Sequence, residues 1–436
     1  MNRGHRCRKC EWGFQKARVL AVLAMALTLI SNASAASNFK VLHSFPNNDS
    51  KDGDEPTGAL VFDAAGNLYG TANGGGAYAG CGTVFKMTPT THGDWTESVL
   101  HSFDQNVDGC YPAAGLTFDG QGNLYGTTSS GSGNNDGGTA FELSPDSSSP
   151  GGWTTKLIHR FCHNFHGCKD GSNPWFAGVA IDSASRLYGT TREGGVTQGG
   201  VAYRLASTSS GWKEAILYTF CSPNCSDGTL AAEATPILDK SGNLYGTAEE
   251  GGLACSCGLI FELKHTSTGW QEIILYEFHG SDGFFPSGGL IFDAAGNLYG
   301  TTRGGGTSSC DCGTIFKLTP DSHGGWTHSI LYSFTDANKN GGVPFTTLVM
   351  DKAGSFYGTA EGGIGPCNGG CGVVFKLSPG CNGKWQYSVL HRFTDATNDG
   401  AEPFAGLVFD KTGKHLYGTT AFGGTYNQGT VYEITP

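Results

Sequence analysis

The tetrapeptide Leu-Tyr-Gly-Thr, with Phe replacing Leu once, occurs seven times in this 436-residue chain. That repetition limits the possible folds more than any other feature. Its tyrosines are Tyr69, Tyr125, Tyr188, Tyr245, Tyr299, Tyr357 and Tyr417, spaced 54 to 63 residues apart. Each copy has the same companions, as residues 282–334 illustrate. Asp282-Gly283 and Pro286 open a loop that leads into the apolar run Gly289 to Phe292. Asp293-Ala294-Ala295-Gly296 makes a turn, and Asn297 to Thr302 is the second run. A Gly- and Cys-rich loop follows, then Gly313 to Leu318, a break at Thr319-Pro320 and Gly324-Gly325, and the fourth run Trp326 to Phe334. Runs rich in Val, Ile, Phe, Tyr and Thr, bounded by Gly, Pro and Asp, signal strands and turns. No convincing helical period appears beyond the N-terminal segment.

Seven units of four strands predict an all-β, seven-bladed propeller of four-stranded blades. The innermost run is apolar at consecutive positions (Leu290-Ile291-Phe292, Leu407-Val408-Phe409), as suits a strand covered on both faces. A β-solenoid also repeats, but its coils are usually much shorter than this period. The 70 glycines fit many tight turns between short strands. Six units carry a Trp eight residues before the fourth-run Phe: Trp95, Trp153, Trp212, Trp270, Trp326 and Trp385. The seventh copy of that run is absent after Gly429 to Ile434 and is found instead at Phe39 to Phe45. This permutation predicts a ring in which the N-terminal strand completes the last blade and removes a free sheet edge.

The first residues read differently. Arg3, Arg6, Arg8, Lys9, Lys16 and Arg18 precede the apolar run Val19 to Ile30 and the small-residue site Ala33-Ser34-Ala35. Residues 1–35 are therefore expected to be a signal peptide, and residues 36–436 a single propeller domain. The localisation expected is exported, periplasmic or extracellular, with no membrane insertion after cleavage. Removing residues 1–35 leaves 21 Lys and Arg against 37 Asp and Glu, a net charge of −16. That balance argues against nucleic acid and anionic membranes as partners.

The LYGTT segment followed by Gly-Gly, then GTIFKLTP (Gly313 to Pro320) and Trp followed five residues later by Leu, resembles the GloVer tandem repeat of exported bacterial proteins. The order of Gly-Gly, aromatic and Trp is also similar, more distantly, to kelch repeats. The resemblance spans residues 37–436 and implies a propeller-like fold. It supplies no activity and no catalytic residues, and this chain lacks a recognisable surface anchor.

Candidate chemistry is sparse. The strand-end residues Asp63, Asp119, Asp182, Asp239, Asp293, Asp351 and Asp410 precede the same short hairpin, and turn stabilisation explains them. His43, His101, His159 and His391 alternate with Tyr218, Tyr276 and Tyr332 two residues before the fourth-run Phe. Lying on outer strands of different blades, they diverge, so they are read as structural and no metal site is assigned. There is no G-x-S-x-G, P-loop or H-E-x-x-H, and the inner runs offer no obvious acid–base pair. The reading favours a non-enzymatic role and names no catalytic residue. The loops before the inner run hold Asp52, Asp108, Asp170, Asp227, Asp282, Asn340 and Asp399, each followed by Gly, with Pro three residues further on in all but one unit, where Ala231 stands. They should share a face with the loops after LYGT, where Asp54, Glu55, Glu233 and Glu402 add acid. These seven are the candidate binding residues, for a polar ligand such as an extracellular glycan, or a protein. No cofactor is called for; calcium is open but has no support in the sequence.

Thirteen cysteines remain after residue 35, and an exported chain favours disulfides. Cys162 and Cys168, Cys221 and Cys225, and Cys367 and Cys371 are spaced for local bridges, and Cys81 and Cys110 lie in loops that should meet. Cys255/Cys257 and Cys310/Cys312 are open between a bridge within the loop, pairing across blades, and a soft metal. Cys381 is left over. The sequence thus points to a monomeric secreted propeller acting as a binding or scaffold module. An extracellular lyase or hydrolase acting on polysaccharide, and a structural or adhesive surface component, are the alternatives.

Overall fold

Runs that are apolar at consecutive positions need an apolar neighbour on both faces, so the sheets they form pack against one another around an axis. In a computed structural model, described for residues 38–436 apart from 47–50, 79, 132–136, 150, 164–166, 223, 232, 337–339, 363–366, 368 and 369, the chain forms seven four-stranded antiparallel sheets. They are the blades of a seven-bladed β-propeller. The expected signal peptide lies outside these residues. Blade 1 contains Val61–Phe62, Leu68–Ala72, Thr83–Pro89 and Trp95–Ser102, from the axis outward. Blades 2 to 6 repeat that order. Blade 7 joins Val408–Phe409, Leu416–Thr420 and Thr430–Thr435 to Asn38–Ser44. Asn38 pairs with Thr435 and Ser44 with Thr430, so the N-terminal strand closes the ring as its displaced motif predicts. No helix among the described residues is long and apolar enough to cross a membrane.

Each letter of the repeated tetrapeptide has a task. Leu68 and its equivalents are fully buried. The Tyr69 hydroxyl donates to Asp63 (3.1 Å), as Tyr125, Tyr188, Tyr245, Tyr299 and Tyr357 do to their turn aspartates. Asp63 also accepts from the Asn67 backbone (2.9 Å) and side chain (2.6 Å). Burial would raise its carboxyl, but these bonds hold it below the usual range. Gly70 is bare because a Cβ there would stand 2.6 Å from Phe85. The threonine binds the blades together: in five units its hydroxyl donates to a carbonyl beside the inner strand of the next blade, as from Thr71 to Ala114 (2.8 Å).

The core lies between blades. The Phe ending each fourth strand meets the third-strand aromatic of the next blade, with ring centroids 4.8 to 5.6 Å apart. The pairs are Phe45–Phe85, Phe103–Phe141, Phe161–Tyr203, Phe220–Phe261, Phe278–Phe316, Phe334–Phe375 and Phe393–Tyr432. All fourteen rings are buried.

Every fourth strand contains a β-bulge with one extra residue: Leu42, Leu100, Ile158, Leu217, Leu275, Leu331 or Leu390. In blade 1, Val99 stands opposite Phe85 but His101 stands opposite Val84. Strict alternation would keep Glu97, Val99, His101 and Phe103 on one face; the bulge sends the first two toward the preceding blade and the last two toward the next.

Candidate functional site at the mouth of the central channel

Loops that bridge two blades need their backbone groups paired, and here the pairing builds a rim. Bridges Asp54–Gly74, Cys110–Ser130, Ser172–Glu193, Thr229–Glu250 and Phe284–Gly304 put the loops before the inner strand beside the loops after LYGT, on one face. Each blade then contributes one residue in the left-handed region: Glu55, Tyr111, Asn173, Leu230, Phe285, Val343 and Glu402, with φ from 51° to 64°. Such a conformation is uncommon for side chains of this bulk and tends to gather at functional rims. Two bonds fix it. The N–H groups of Tyr111, Phe285, Val343 and Glu402 donate to the carbonyls of Cys81, Cys257, Cys312 and Cys371 in the preceding blade (2.8 to 3.0 Å). Their own carbonyls accept from Ser129, Arg303, Glu361 and Ala421 (2.9 to 3.3 Å).

All four of those anchoring carbonyls belong to disulfide cysteines. The bridges are Cys81–Cys110, Cys162–Cys168, Cys221–Cys225, Cys255–Cys257, Cys310–Cys312 and Cys367–Cys371. All twelve candidate cysteines are therefore paired, and the two pairs left open by the sequence close within their own loops. Cys381 lies outside these bridges, exposed at the start of the turn Cys381–Gly383.

Within the rim, blades 3 to 7 enclose a cavity of about 780 Å³, lined among others by Trp175, Phe176, Arg192, Glu233, Glu249, Phe284, Phe285, Arg303, Phe345, Glu361 and Phe404. Below it the channel narrows to a cavity of about 210 Å³ among Thr57, Val61, Leu116, Thr117, Thr235 and Thr347. Most of the narrow part is lined by small neutral side chains of the inner runs, with Phe176, Glu233, Phe345 and Phe404 shared with the mouth. The mouth itself holds two cross-blade ion pairs, Arg192–Glu233 at 3.4 Å and Arg303–Glu249 at 3.1 Å. Ser287 also donates to Glu249 (3.1 Å). Burial, with the charge of Glu249 added, pushes the Glu233 carboxyl up to about 7 against the pull of Arg192 and Arg303. Burial raises Glu361 as well. The aromatic side of the mouth is continuous. Trp175 meets Phe176 at 5.4 Å, Phe176 meets Phe345 at 5.2 Å, Phe345 meets Phe404 at 6.2 Å, and the Arg303 guanidinium lies 5.2 Å from the Phe345 centroid. Trp175 remains 36% exposed. The arrangement can stack against a flat apolar face while presenting fixed charges to hydroxyl or amide groups.

The seven loop residues singled out from the sequence stand further from the axis, and the structure does not bring them together. The carboxylates of Asp108, Asp170, Asp227, Asp282 and Asp399 accept backbone N–H groups from Asp104, Cys162, Ser222, His279 and Thr394 (2.8 to 3.2 Å). They also face the fourth-strand His or Tyr, as in His101–Asp108 at 2.7 Å, Tyr218–Asp227 at 2.8 Å and His391–Asp399 at 2.8 Å. The Asp52 carbonyl accepts from Thr83 (3.2 Å), and the Asn340 carbonyl accepts from the Tyr387 hydroxyl. Asp108, Asp227 and Asp399 are buried. Sequence reasoning named Glu233 among the acids of this face but missed Arg192, Glu249, Arg303 and Glu361. All four occupy the position directly after the five-residue strand motif, where Arg and Glu alternate through blades 3 to 6.

The model of the Gloeobacter/Verrucomicrobia repeat matches residues 28–162, 149–371 and 258–436. The chain belongs to the Gloeobacter/Verrucomicrobia repeat family. In this Gloeobacter/Verrucomicrobia repeat protein the matched segments take in all seven blades, so the rim is made by the repeat itself. No curated protein matches the chain. Among solved structures it is similar to the extracellular domain of the hybrid two-component system BT4673 of B. thetaiotaomicron, at 12% identity and TM-score 0.51, covering 92% of this chain and 42% of that one. It is also similar to the corresponding domain of BT3049 from the same organism (11%, 0.49, 92% and 41%). PorZ, a bacterial surface component of the type-IX secretion system of Porphyromonas gingivalis, matches at 14% and 0.48, over 90% and 48%. The chain spans less than half the length of each, and the likeness to BT4673 is one of fold.

Proposed function

We propose that this repeat protein is an exported binding module that holds a glycan at the mouth of its channel. The observation that carries this reading is the union, in one concavity, of an open aromatic wall with two Arg–Glu pairs whose carboxylates are buried and whose arginines are partly exposed. A sugar ring has an apolar face and a rim of hydroxyls, and the two sides of the mouth answer to each. Six disulfides favour an oxidising compartment, and the acidic surface disfavours polyanions. In this reading the seven loop residues Asp52 to Asp399 act from behind, holding the rim in shape and not touching the ligand. A glycan array probed with the protein lacking residues 1–35 tests it. A reproducible hit should weaken at least about tenfold on Trp175→Ala, with melting unchanged. Absence of any hit, or a hit indifferent to Trp175→Ala and Phe345→Ala, would overturn the proposal.

One observation favours catalysis on the bound glycan as a second reading. The Glu233 carboxyl is pushed up to about 7 by burial and the charge of Glu249, which suits the general acid of a hydrolase. Turnover of a polysaccharide that is abolished by Glu233→Gln while binding persists would select it.

A further inference from the structure

The fourth-strand bulge creates a recurring meeting point between blades. The residue two before the fourth-strand Phe of one blade meets the loop Asp of the next, and both meet the residue two after that next blade's Trp. Most of these points are filled by ordinary bonds. Between blades 1 and 2, His101 Nε2 lies 2.7 Å from Asp108 and Nδ1 2.9 Å from the Thr155 hydroxyl. Between blades 6 and 7, His391 lies 2.8 Å from Asp399 and stacks on Phe39 at 3.8 Å. Between blades 3 and 4, Tyr218 donates toward Asp227 (2.8 Å) and Glu272 (3.1 Å).

Two junctions differ: between blades 7 and 1, His43 Nε2 and Glu97 Oε1 are buried without a bond, and between blades 2 and 3 a comparable pair is joined by a third ligand close by. His159 Nε2 is 3.4 Å from Asp170 Oδ2 and 3.6 Å from Glu214 Oε1. One ligand atom from each of the three lies within 4.8 Å of the others, the one such group among the described residues. His159 Nε2 and Glu214 Oε1 are shielded from solvent and have no partner at ideal hydrogen-bond distance. A buried acceptor and a buried ring nitrogen left in this state are costly.

We propose that His159, Asp170 and Glu214 form a site for a divalent zinc-type cation at the interface of blades 2 and 3. Zinc binds imidazole nitrogen and carboxylate oxygen at about 2.0–2.2 Å in a tetrahedron, which sets ligand atoms about 3.3–3.5 Å apart. The two separations are close to that edge, and longer than ideal hydrogen bonds. Two carboxylates and a neutral imidazole balance the ion's charge, and the imidazole favours zinc over calcium. The fourth position falls to water, on the side where the Asp170 side chain is 30% exposed. Asp170 is steadied by the Cys162 N–H (3.2 Å) and the Cys162–Cys168 bridge. The outer-strand histidines do diverge from one another, as the sequence implied; the ligands that join His159 come from the neighbouring blade.

The test is zinc loading of the chelator-stripped protein, read by elemental analysis and thermal melting. About one zinc per chain should be retained and the melting temperature should rise with added zinc chloride. Glu214→Gln and His159→Asn should each weaken retention at least about tenfold, while His101→Asn, at the satisfied interface, should not. Should the site variants fail to fold, cobalt(II) added to the unaltered protein should give the intense visible bands of tetrahedral coordination. No retained zinc, retention unchanged in Glu214→Gln, or a weak octahedral cobalt spectrum would each overturn the proposal.

Discussion

Tyr203 and Tyr432 carry a hydroxyl where the third strand of the other five blades has phenylalanine. Both hydroxyls are buried without a hydrogen-bond partner, each pressed over the glycine of its LYGT segment. A Cβ at Gly189 or Gly418 would lie 2.3 or 2.5 Å from that oxygen. Deleting a polar atom that makes no bond removes a desolvation cost without leaving an orphaned partner. Tyr203→Phe and Tyr432→Phe are therefore expected to be neutral or to stabilise by about 1 kcal/mol in denaturant melts. Destabilisation by either would show that the hydroxyl is bonded. Gly189→Ala should destabilise strongly, because the aromatic ring it meets is clamped by Phe161 of the preceding blade and has nowhere to move.

The bulge decides what each fourth strand does, and it carries a pH dependence with it. Because the strand reverses its facing after Leu275, Glu272 points back to blade 3, where it meets Asp227 and the Tyr218 hydroxyl. Burial, and then the charge of Asp227, push its carboxyl up to about 8 against the Tyr218 bond. A carboxyl raised on folding favours the fold below its ordinary value near 4.5, and that contribution is lost as pH rises through 8. The protein should melt at a higher temperature at pH 5 than at pH 9. Glu272→Gln should flatten that slope by on the order of 2–4 kcal/mol. An unchanged slope would mean that the carboxyl is solvated. The repeat, the strand count and the turn aspartates could be read in the sequence, since each recurs in register, and spacing and loop placement gave the pairing of eight of the twelve cysteines. The bulge could not, because one extra leucine among Ile273, Ile274 and Leu275 looks like any apolar run. Nor could the mouth: Arg192, Glu249, Arg303 and Glu361 share a position but not a residue type, and comparison of repeats discards what does not recur. The Asp-Gly loops drew attention by recurring, and most of their carboxylates accept backbone N–H groups close by in the chain.

For the molecule as a whole, the decisive element is the strand Asn38–Ser44. Removing residues 36–46 should bare the edge of Thr430–Thr435 and open the Phe45–Phe85 contact. Phe45→Ala alone should cost about 3–5 kcal/mol, as for a fully buried aromatic. Equilibrium unfolding and light scattering would register both changes, and a truncated protein with unaltered stability would contradict closure by one strand. The same closure bears on timing. Proteins are made from the amino end, so the strand at Asn38–Ser44 exists long before its partner at Thr430–Thr435. Until that partner arrives, six blades can form but the ring cannot shut, and pairing across so wide a separation is slow. Ring closure therefore waits on synthesis of Thr430–Thr435, and a ribosome that stops one strand before it releases an open crescent with an unsealed edge instead of a slightly smaller wheel.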